Sequence, residues 1–314
     1  MKKKAIIISL KGKTLSKKEK MLLLKERPWG VILFKRNIYS LKQTQRLILQ
    51  IKKYSKSKNF PILIDEEGST VSRLKNIFNH HLNANYFGKV FEKNKKSAIF
   101  IYKNYLKSLC NLLKIIGVNT NTIPVLDVLR KNTSKIIGSR SFSHNKEIVK
   151  TLGDITVREC QKHKIISVIK HIPGHGCATQ DSHIFLPKVN LSEKNLNLID
   201  FFPFKSNSAK LAMTAHILFS KIDNKNVSTF SKKIINQIIR KKIGFKGILM
   251  SDDISMKALK YDLVTNAKKA LEAGCNLVLY CEGKIKDNLK LIKSVPYIDK
   301  FTAKKTSEIY KILR

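Results

Sequence analysis

Residues 165–176 read IISVIKHIPGHG, and residues 177–183 continue the chain as CATQDSH. The first of these residues, 165–169, are mostly β-branched, which is typical of a buried strand. Lys170, His171 and His175 follow, interleaved with proline and glycine. Proline and glycine favour irregular backbone, while Lys and His provide hydrogen-bonding and proton-transfer groups. This pattern predicts a rigid strand that ends in a functional loop.

Strand-like runs of this kind recur along the whole chain. Eight of them are found, at 5–10, 30–34, 61–64, 118–123, 166–169, 210–213, 247–250 and 276–280. Lys-rich amphipathic stretches lie between them and predict helices at 41–54, 97–116, 146–163 and 232–242. Strand–helix alternation predicts a parallel sheet, and eight repeats predict closure. We therefore expect an α/β fold, a single (β/α)8 TIM-type barrel domain over residues 1–314, with its active site at the C-terminal ends of the strands.

The composition is strongly basic, with 62 Lys and Arg against 22 Asp and Glu and a formal net charge of +40. The lysines are spread along the chain, so we expect no specific nucleic-acid partner, although the charge favours anionic substrates. The five cysteines show no paired spacing, which indicates reduced thiols in a cytosol. The N-terminal apolar run is too short for a signal peptide, and no run suits a membrane span. We expect a soluble, cytoplasmic monomer without membrane insertion.

Polar clusters follow five of the predicted strands. In a barrel these clusters would meet at one face, where barrel enzymes build their sites. In chain order they are Asp65-Glu66-Glu67-Gly68, then Asp127 with Arg140, Lys170-His171, Thr214-Ala215-His216, and Ser251-Asp252-Asp253.

Four of these segments together resemble a known family. KHIPGHG followed by DSH is similar to the signature of family-3 glycoside hydrolases in their bacterial β-N-acetylglucosaminidase (β-hexosaminidase) branch, with Ile172 in place of the usual Phe. GFKGILMSDDISM, at 244–256, resembles the nucleophile segment of that family. DEEGSTVSR, at 65–73, and IGSRSF, at 137–142, resemble two further segments, in which Ser69, Thr70 and Ser139 replace Gly, Arg and Asp. The resemblance covers nearly the whole chain and implies a single-domain hydrolase.

The resemblance implies a role for each residue of a catalytic set. Asp252 aligns with the nucleophile, and the competing interpretation is that Asp252 or Asp253 caps a helix beginning near Ile254. His183 aligns with the acid/base, and Asp181 can orient and stabilise its imidazole ring. Cys177 lies in the same loop, but a carboxylate mechanism needs no thiol nucleophile.

The other polar residues are expected to bind sugar or to support the site. Sugar hydroxyls need oriented, charge-assisted partners, and we expect these from Asp65, Arg73, Arg140, Lys170 and His171. Because Ser139 replaces an Asp of the family pattern, a candidate partner of Arg140 is lost. We assign supporting roles to Asp127, His175 and His216 and backbone roles to Gly174 and Gly176. No phosphate-binding glycine motif or metal-ligand spacing is present, so we expect no cofactor and no metal.

By resemblance, the chain is a retaining exo-β-N-acetylglucosaminidase that releases GlcNAc from peptidoglycan-derived muropeptides (GlcNAc–anhydromuramyl peptides). Its expected partner is therefore a small carbohydrate or muropeptide substrate. Two alternatives remain at this point. One is a phosphorolytic enzyme of the same branch, in which phosphate replaces water. The other is a non-enzymatic basic barrel that binds anionic polymers.

Overall fold

Eight parallel strands close into a barrel in the computed structural model, which describes residues 2–181 and 185–314. Each strand pairs with the next one along the chain, and the last strand pairs with the first, with Ile6 opposite Val278. The predicted barrel is therefore confirmed. Its strands are β1 (Lys4–Ser9), β2 (Pro28–Leu33), β3 (Ile62–Ile64), β4 (Thr120–Asn121), β5 (Ile166–Ile172), β6 (Leu211–Thr214), β7 (Ile248–Asp253) and β8 (Leu277–Leu279).

Helices surround the barrel, and the four helices expected from the sequence are present. The segment Ile234–Lys242 is a π-helix rather than an α-helix. No helix in the described parts of the chain is long and apolar enough to cross a membrane. The α-helices are α1 (Lys17–Met21), α2 (Leu41–Tyr54), α3 (Ala84–Lys93), α4 (Lys95–Ile116), α5 (Lys146–Lys162), α6 (Glu193–Leu198), α7 (Leu263–Ala273), α8 (Ile285–Ser294) and α9 (Lys300–Ile312).

The strands are buried on both faces because they lie between two apolar cores. In β1, Ile7 packs in the barrel interior, whereas Ile6 and Ile8 pack in the core that includes the helices. Trp29 packs in the interior and donates from Nε1 to Thr306 Oγ1 of α9 at 2.8 Å. Burial on both faces explains why the strands are continuous apolar runs rather than alternating ones.

The β4 ladder is shorter than the predicted run at 118–123. Side-chain atoms of Asn119 replace part of the backbone pairing: Oδ1 accepts from the Ile62 N–H at 2.8 Å, and Nδ2 donates to the Phe60 carbonyl at 2.9 Å. Pro124, just beyond the strand, has no N–H to donate to a ladder. The strand thus ends early, and residues 122–128 continue as irregular chain apart from an isolated bridge between Val125 and Lys170.

Candidate active site

A cavity of about 600 Å³ opens at the C-terminal ends of the barrel strands. This volume lies within the range of about 300–1,000 Å³ that is typical of small-molecule sites. Residues from distant parts of the sequence meet in its wall. Six of the expected site residues line it, namely Asp65, Arg73, Arg140, Lys170, His171 and Asp252.

Asp65, just after β3, is the centre of a charged hydrogen-bond network. Its Oδ2 accepts from Arg73 Nη2 at 2.9 Å, and its Oδ1 accepts from Thr122 Oγ1 at 2.5 Å. Lys170 Nζ donates to the same Thr122 hydroxyl at 2.8 Å and lies 3.7 Å from Asp65 Oδ1. Burial alone would raise the pKa of Asp65, but Lys170 and Arg73 hold it well below its usual value. Asp65 is therefore an ionised acceptor at neutral pH, as a sugar hydroxyl requires.

Glu67 connects two cations of the cavity wall, Arg140 and Lys170. It accepts two hydrogen bonds from Arg140, at 2.7 Å from Nε and 2.9 Å from Nη2, and lies 2.6 Å from Lys170 Nζ. Burial opposes ionisation, yet Arg140 and Lys170 lower the pKa of Glu67 to about 2. Glu67 therefore pairs with Arg140, although the Asp of the family pattern is absent at position 139. The family-like segment at 137–142 showed which residue was lost beside Arg140, but not which one pairs with it.

Two departures from the family pattern meet in space. Thr70 Oγ1 and Ser139 Oγ are 2.7 Å apart and form a hydrogen bond at the rim of the site. They stand where the family pattern has an Arg and an Asp, so a neutral pair replaces two opposite charges. The Glu67–Arg140 pair beside them retains its bidentate geometry.

His171 and His175 share one buried carboxylate, Asp127. His171 Nδ1 lies 2.7 Å from Asp127 Oδ2, and Asp127 Oδ1 accepts the His175 backbone N–H at 2.6 Å. Because a carboxylate can only accept, His171 donates from Nδ1, and in the neutral ring Nε2 is an acceptor. Burial lowers the pKa of His175 to about 4, so this imidazole is neutral at pH 7. These contacts agree with the supporting roles expected of Asp127 and His175.

Asp252 and Asp253 are the last two residues of β7, and both line the cavity. Asp252 Oδ1 accepts the Asp253 backbone N–H at 2.7 Å. The Asp253 carboxylate accepts one hydrogen bond from the Ser255 hydroxyl at 2.7 Å and one from the Cys281 backbone N–H at 3.2 Å. Burial raises the pKa of Asp253 to about 6. Asp253 thus ties the ends of β7 and β8 together beside Asp252.

The competing interpretation, a helix beginning near Ile254, is wrong. Residues 254–261 form turns, and α7 begins only at Leu263, capped by Asp262. A polar dipeptide before an apolar residue resembles a helix start in sequence, but here the strand continues through both aspartates. His216 supports this end of β7, because its Nε2 lies 3.0 Å from the Asp253 carbonyl and its Nδ1 lies 2.7 Å from Thr229 Oγ1.

The expected acid/base residue, His183, lies outside the described residues, which stop at Asp181 and resume at Phe185. Asp181 is described, and its carbonyl accepts the Phe185 N–H at 2.9 Å. It is not among the residues that line the cavity. Burial raises the pKa of Cys177 well above its usual value, which disfavours the thiolate that a nucleophile would need.

Sequence reasoning missed three residues that organise the cavity. Glu67 lay in the family-like segment at 65–73 and Thr122 near the end of the predicted run at 118–123. Nothing in the sequence showed that these two residues connect Asp65, Lys170 and Arg140. Arg36 donates from Nε to the Leu10 carbonyl at 2.9 Å and from Nη2 to the Cys281 carbonyl at 2.5 Å. It thereby bridges the ends of β1 and β8. Arg36 could be recognised in the sequence as a basic residue shortly after β2, but the sequence did not show that it binds backbone carbonyls of two other segments.

Gly176 has no room for a side chain. A Cβ atom there would lie 1.8 Å from the Val128 carbonyl oxygen, a backbone atom that cannot move aside cheaply. We expect Gly176→Ala to lower the free energy of unfolding by about 3 kcal/mol and to reduce activity. Gly12→Ala is the control, because nothing lies within 4 Å of its Cβ position. Chemical denaturation of both variants is the measurement, and equal stability of the two would contradict the close approach.

Comparisons with known proteins agree with this geometry. The family model described as the glycosyl hydrolase family 3 N-terminal domain matches residues 3–306. The chain belongs to this family. It is therefore a glycoside hydrolase, and its relatives place it with the β-hexosaminidases.

Curated relatives of this chain carry the name β-hexosaminidase, and two of them illustrate the similarity. The one from Psychromonas ingrahamii is 30% identical over 304 residues, covering 93% of this chain and 88% of the relative. The one from Neisseria meningitidis is 33% identical over 273 residues, covering 85% of this chain and 75% of the relative. A crystal structure of NagZ from Neisseria gonorrhoeae in complex with N-trifluoroacetyl-D-glucosamine superposes with a TM-score of 0.88 at 28% identity, covering 98% of this chain and 90% of the other.

Proposed function

We propose that this family-3 hydrolase is a retaining exo-β-N-acetylglucosaminidase formed by the whole chain as one domain. The observation that carries the proposal is that Asp252, at the end of β7, shares one cavity with the Asp65–Arg73 and Glu67–Arg140–Lys170 ion pairs. Retaining cleavage needs a carboxylate held rigidly beside the anomeric carbon. The ion-pair network supplies the oriented donors and acceptors that hold a pyranose ring in place.

In this mechanism Asp252 attacks the anomeric carbon and forms a covalent glycosyl-enzyme. His183, supported by Asp181, protonates the leaving oxygen and later activates the water that releases the sugar. Asp65, Arg73, Arg140, Lys170 and His171 bind the sugar. The assignments of His183 and Asp181 rest on the family resemblance of the D-S-H segment, and those of the other residues also rest on their place in the cavity wall.

An assay with the para-nitrophenyl β-glycoside of GlcNAc, with the matching β-glucoside as control, tests the reaction class. We expect turnover of the GlcNAc substrate and little turnover of the glucoside. Product analysis with and without inorganic phosphate then separates hydrolysis from phosphorolysis. A sugar phosphate as the main product would assign the phosphorolytic reaction instead.

We further propose that the natural substrate is an anionic muropeptide. Among the described residues, the cavity wall is balanced, with five cationic side chains (Arg36, Arg73, Arg140, Lys170, Lys257) and five carboxylates (Asp65, Glu67, Asp252, Asp253, Glu282). The net charge of +40 therefore lies mainly outside the cavity and acts at long range. Such a field raises the encounter rate of an anionic substrate and weakens as salt is added.

The expected result is a kcat/KM for a GlcNAc–anhydromuramyl peptide that falls when the ionic strength rises from about 0.01 M to 0.15 M. Neutral chitobiose, assayed in parallel, should show almost no salt dependence. Equal salt dependence of the two substrates would remove this argument for an anionic substrate, while leaving the glycosidase assignment untouched.

Two displacements at one carbon predict retention of configuration. Proton NMR of the first-formed product should therefore show the β-anomer of GlcNAc, before mutarotation adds the α-anomer. If the α-anomer forms first, the reaction is a single displacement, and Asp252 does not act as a nucleophile.

A further inference from the structure

Asp200 is a fully buried carboxylate that the proposed mechanism does not use. It forms a bidentate ion pair with Arg130, in which Nη2 bonds to Oδ2 and Nε donates to Oδ1 at 3.3 Å. Burial raises the pKa of Asp200, and the Arg130 hydrogen bond opposes this rise. Keeping a buried carboxylate ionised costs free energy. The Arg130–Asp200 pair is therefore expected to have a role in the fold that offsets this cost.

Asp200 stands on a firmly packed part of the chain. It follows α6 and precedes a short 3-10 helix over Phe202–Phe204. Its neighbour Phe201 is fully buried and packs edge to face against Phe219, with the ring centroids 6.4 Å apart. Phe204 is also buried. Asp200 is thus a fixed point outside the barrel wall.

Arg130 lies in a turn that contacts the segment after β5. The Arg130 N–H donates to Thr133 Oγ1 at 2.6 Å, and that hydroxyl donates to the Gly176 carbonyl at 2.6 Å. The Ser134 N–H donates to the Ala178 carbonyl at 2.8 Å. The turn at 130–134 therefore holds the backbone of residues 176–178.

Asp200 approaches the same segment from another side. Gly174 has φ +136°, and a Cβ atom there would lie 2.8 Å from both Cβ and the carbonyl oxygen of Asp200. On the inner side, Asp127 accepts the His175 N–H at 2.6 Å. Residues 174–178 are thus held between the barrel mouth and the Arg130–Asp200 pair.

We propose that the Arg130–Asp200 pair is a positioning element for the segment that leads to Asp181, the described member of the proposed acid/base dyad. This inference rests on the proposed function. Ala178 is held by Ser134, and three residues of chain span at most about 11 Å, so the anchor restricts where Asp181 can lie. Proton transfer needs placement within hydrogen-bond reach of the leaving oxygen. We expect the Arg130–Asp200 pair to affect the proton-transfer step more than sugar binding, because Arg73, Arg140 and Lys170 are held by hydrogen bonds to other residues.

The test is Arg130→Met, which keeps the length of the side chain but removes both hydrogen bonds to Asp200. We expect kcat/KM for chitobiose, a substrate with a poor leaving group, to fall about 10- to 100-fold. The value for the activated para-nitrophenyl glycoside should fall less than about threefold, because that leaving group needs little protonation. Equal losses for both substrates, or no loss, would overturn the proposal.

Two further variants separate positioning from stability. Arg130→Met/Asp200→Asn also removes the buried charge, so its unfolding temperature should exceed that of Arg130→Met, while the selective loss on chitobiose persists. Recovery of chitobiose cleavage together with stability would show a merely structural role and overturn the proposal. Arg130→Lys keeps a cation beside Asp200 but not two parallel hydrogen bonds. It should show the same selectivity for chitobiose in weaker form. If Arg130→Met does not fold, Arg130→Lys takes its place, and equal losses on both substrates, or no loss, would overturn the proposal.

His183→Ala is the reference for the whole experiment. If it shows the leaving-group selectivity and Arg130→Met does not, the positioning role fails and the proposed mechanism stands. If His183→Ala itself lacks the selectivity, the proposed acid/base assignment fails, and the Arg130–Asp200 pair cannot act through it.

Discussion

Asp252→Ala should reduce hydrolysis of the para-nitrophenyl β-glycoside of GlcNAc on the order of 10⁴-fold or more, because no covalent intermediate can form without the nucleophile. The fold should persist, since Asp252 is only partly buried at the end of β7. Release of para-nitrophenol measures activity, and circular dichroism checks the fold. Titration with GlcNAc should show that sugar binding is largely kept.

Asp253→Asn is the matched control one residue away. Asp253 bonds to Ser255 and to the Cys281 N–H, so its loss should disturb the junction of β7 and β8 more than the chemistry. We expect a lower unfolding temperature and a much smaller loss of activity than in Asp252→Ala. The reverse order of activities would move the nucleophile to Asp253, and near-normal turnover by folded Asp252→Ala would refute the assignment.

His183→Ala should lower kcat/KM for chitobiose by about 10²- to 10⁴-fold and affect the activated aryl glycoside far less. The physical reason is that only a poor leaving group needs strong protonation as the glycosidic bond breaks. Without a general base for the second step, the glycosyl-enzyme should accumulate. Azide should then restore turnover of the aryl substrate, because an anionic nucleophile needs no base.

Asp181→Asn provides a graded version of this experiment. It keeps the imidazole of His183 but removes the negative charge that stabilises the protonated ring. We therefore expect a smaller loss that is again greater for chitobiose than for the aryl glycoside. If His183→Ala loses rate equally on good and poor leaving groups and azide has no effect, His183 serves binding or loop structure, and another residue transfers the proton.

The barrel could be predicted from the sequence because its signals are local. Most strands contain an apolar run such as Ile6–Ile8 that is buried on both faces, and such a run can be recognised without knowing its neighbours in the fold. The ends of parallel strands converge in a closed barrel, so Asp65, Lys170 and Asp252 could be placed together before any distance was known. The family resemblance then supplied roles for individual residues.

Pairing between loops could not be predicted in this way. The sequence showed that Arg140 lost a candidate partner at position 139, but not that Glu67 binds it through two hydrogen bonds. Thr70 and Ser139 look like two unrelated departures in sequence, but they form one hydrogen bond. Loop backbones have no periodic pattern, and a partner 70 residues away can be recognised only when both positions are known.

The sequence by itself determined the fold class, the order of the strands and most of the polar residues at the barrel mouth. These features could be predicted because the periodicity of apolar residues and the position of a residue at a strand end are properties of short segments. Only the tertiary structure decided how those residues pair. It extended β7 through both aspartates, gave Asp253 a structural role, and brought Arg130 to the buried carboxylate of Asp200. The physical reason is that ionised groups leave water only where opposite charges and hydrogen-bond donors from distant loops surround them, and this arrangement exists only in the folded chain.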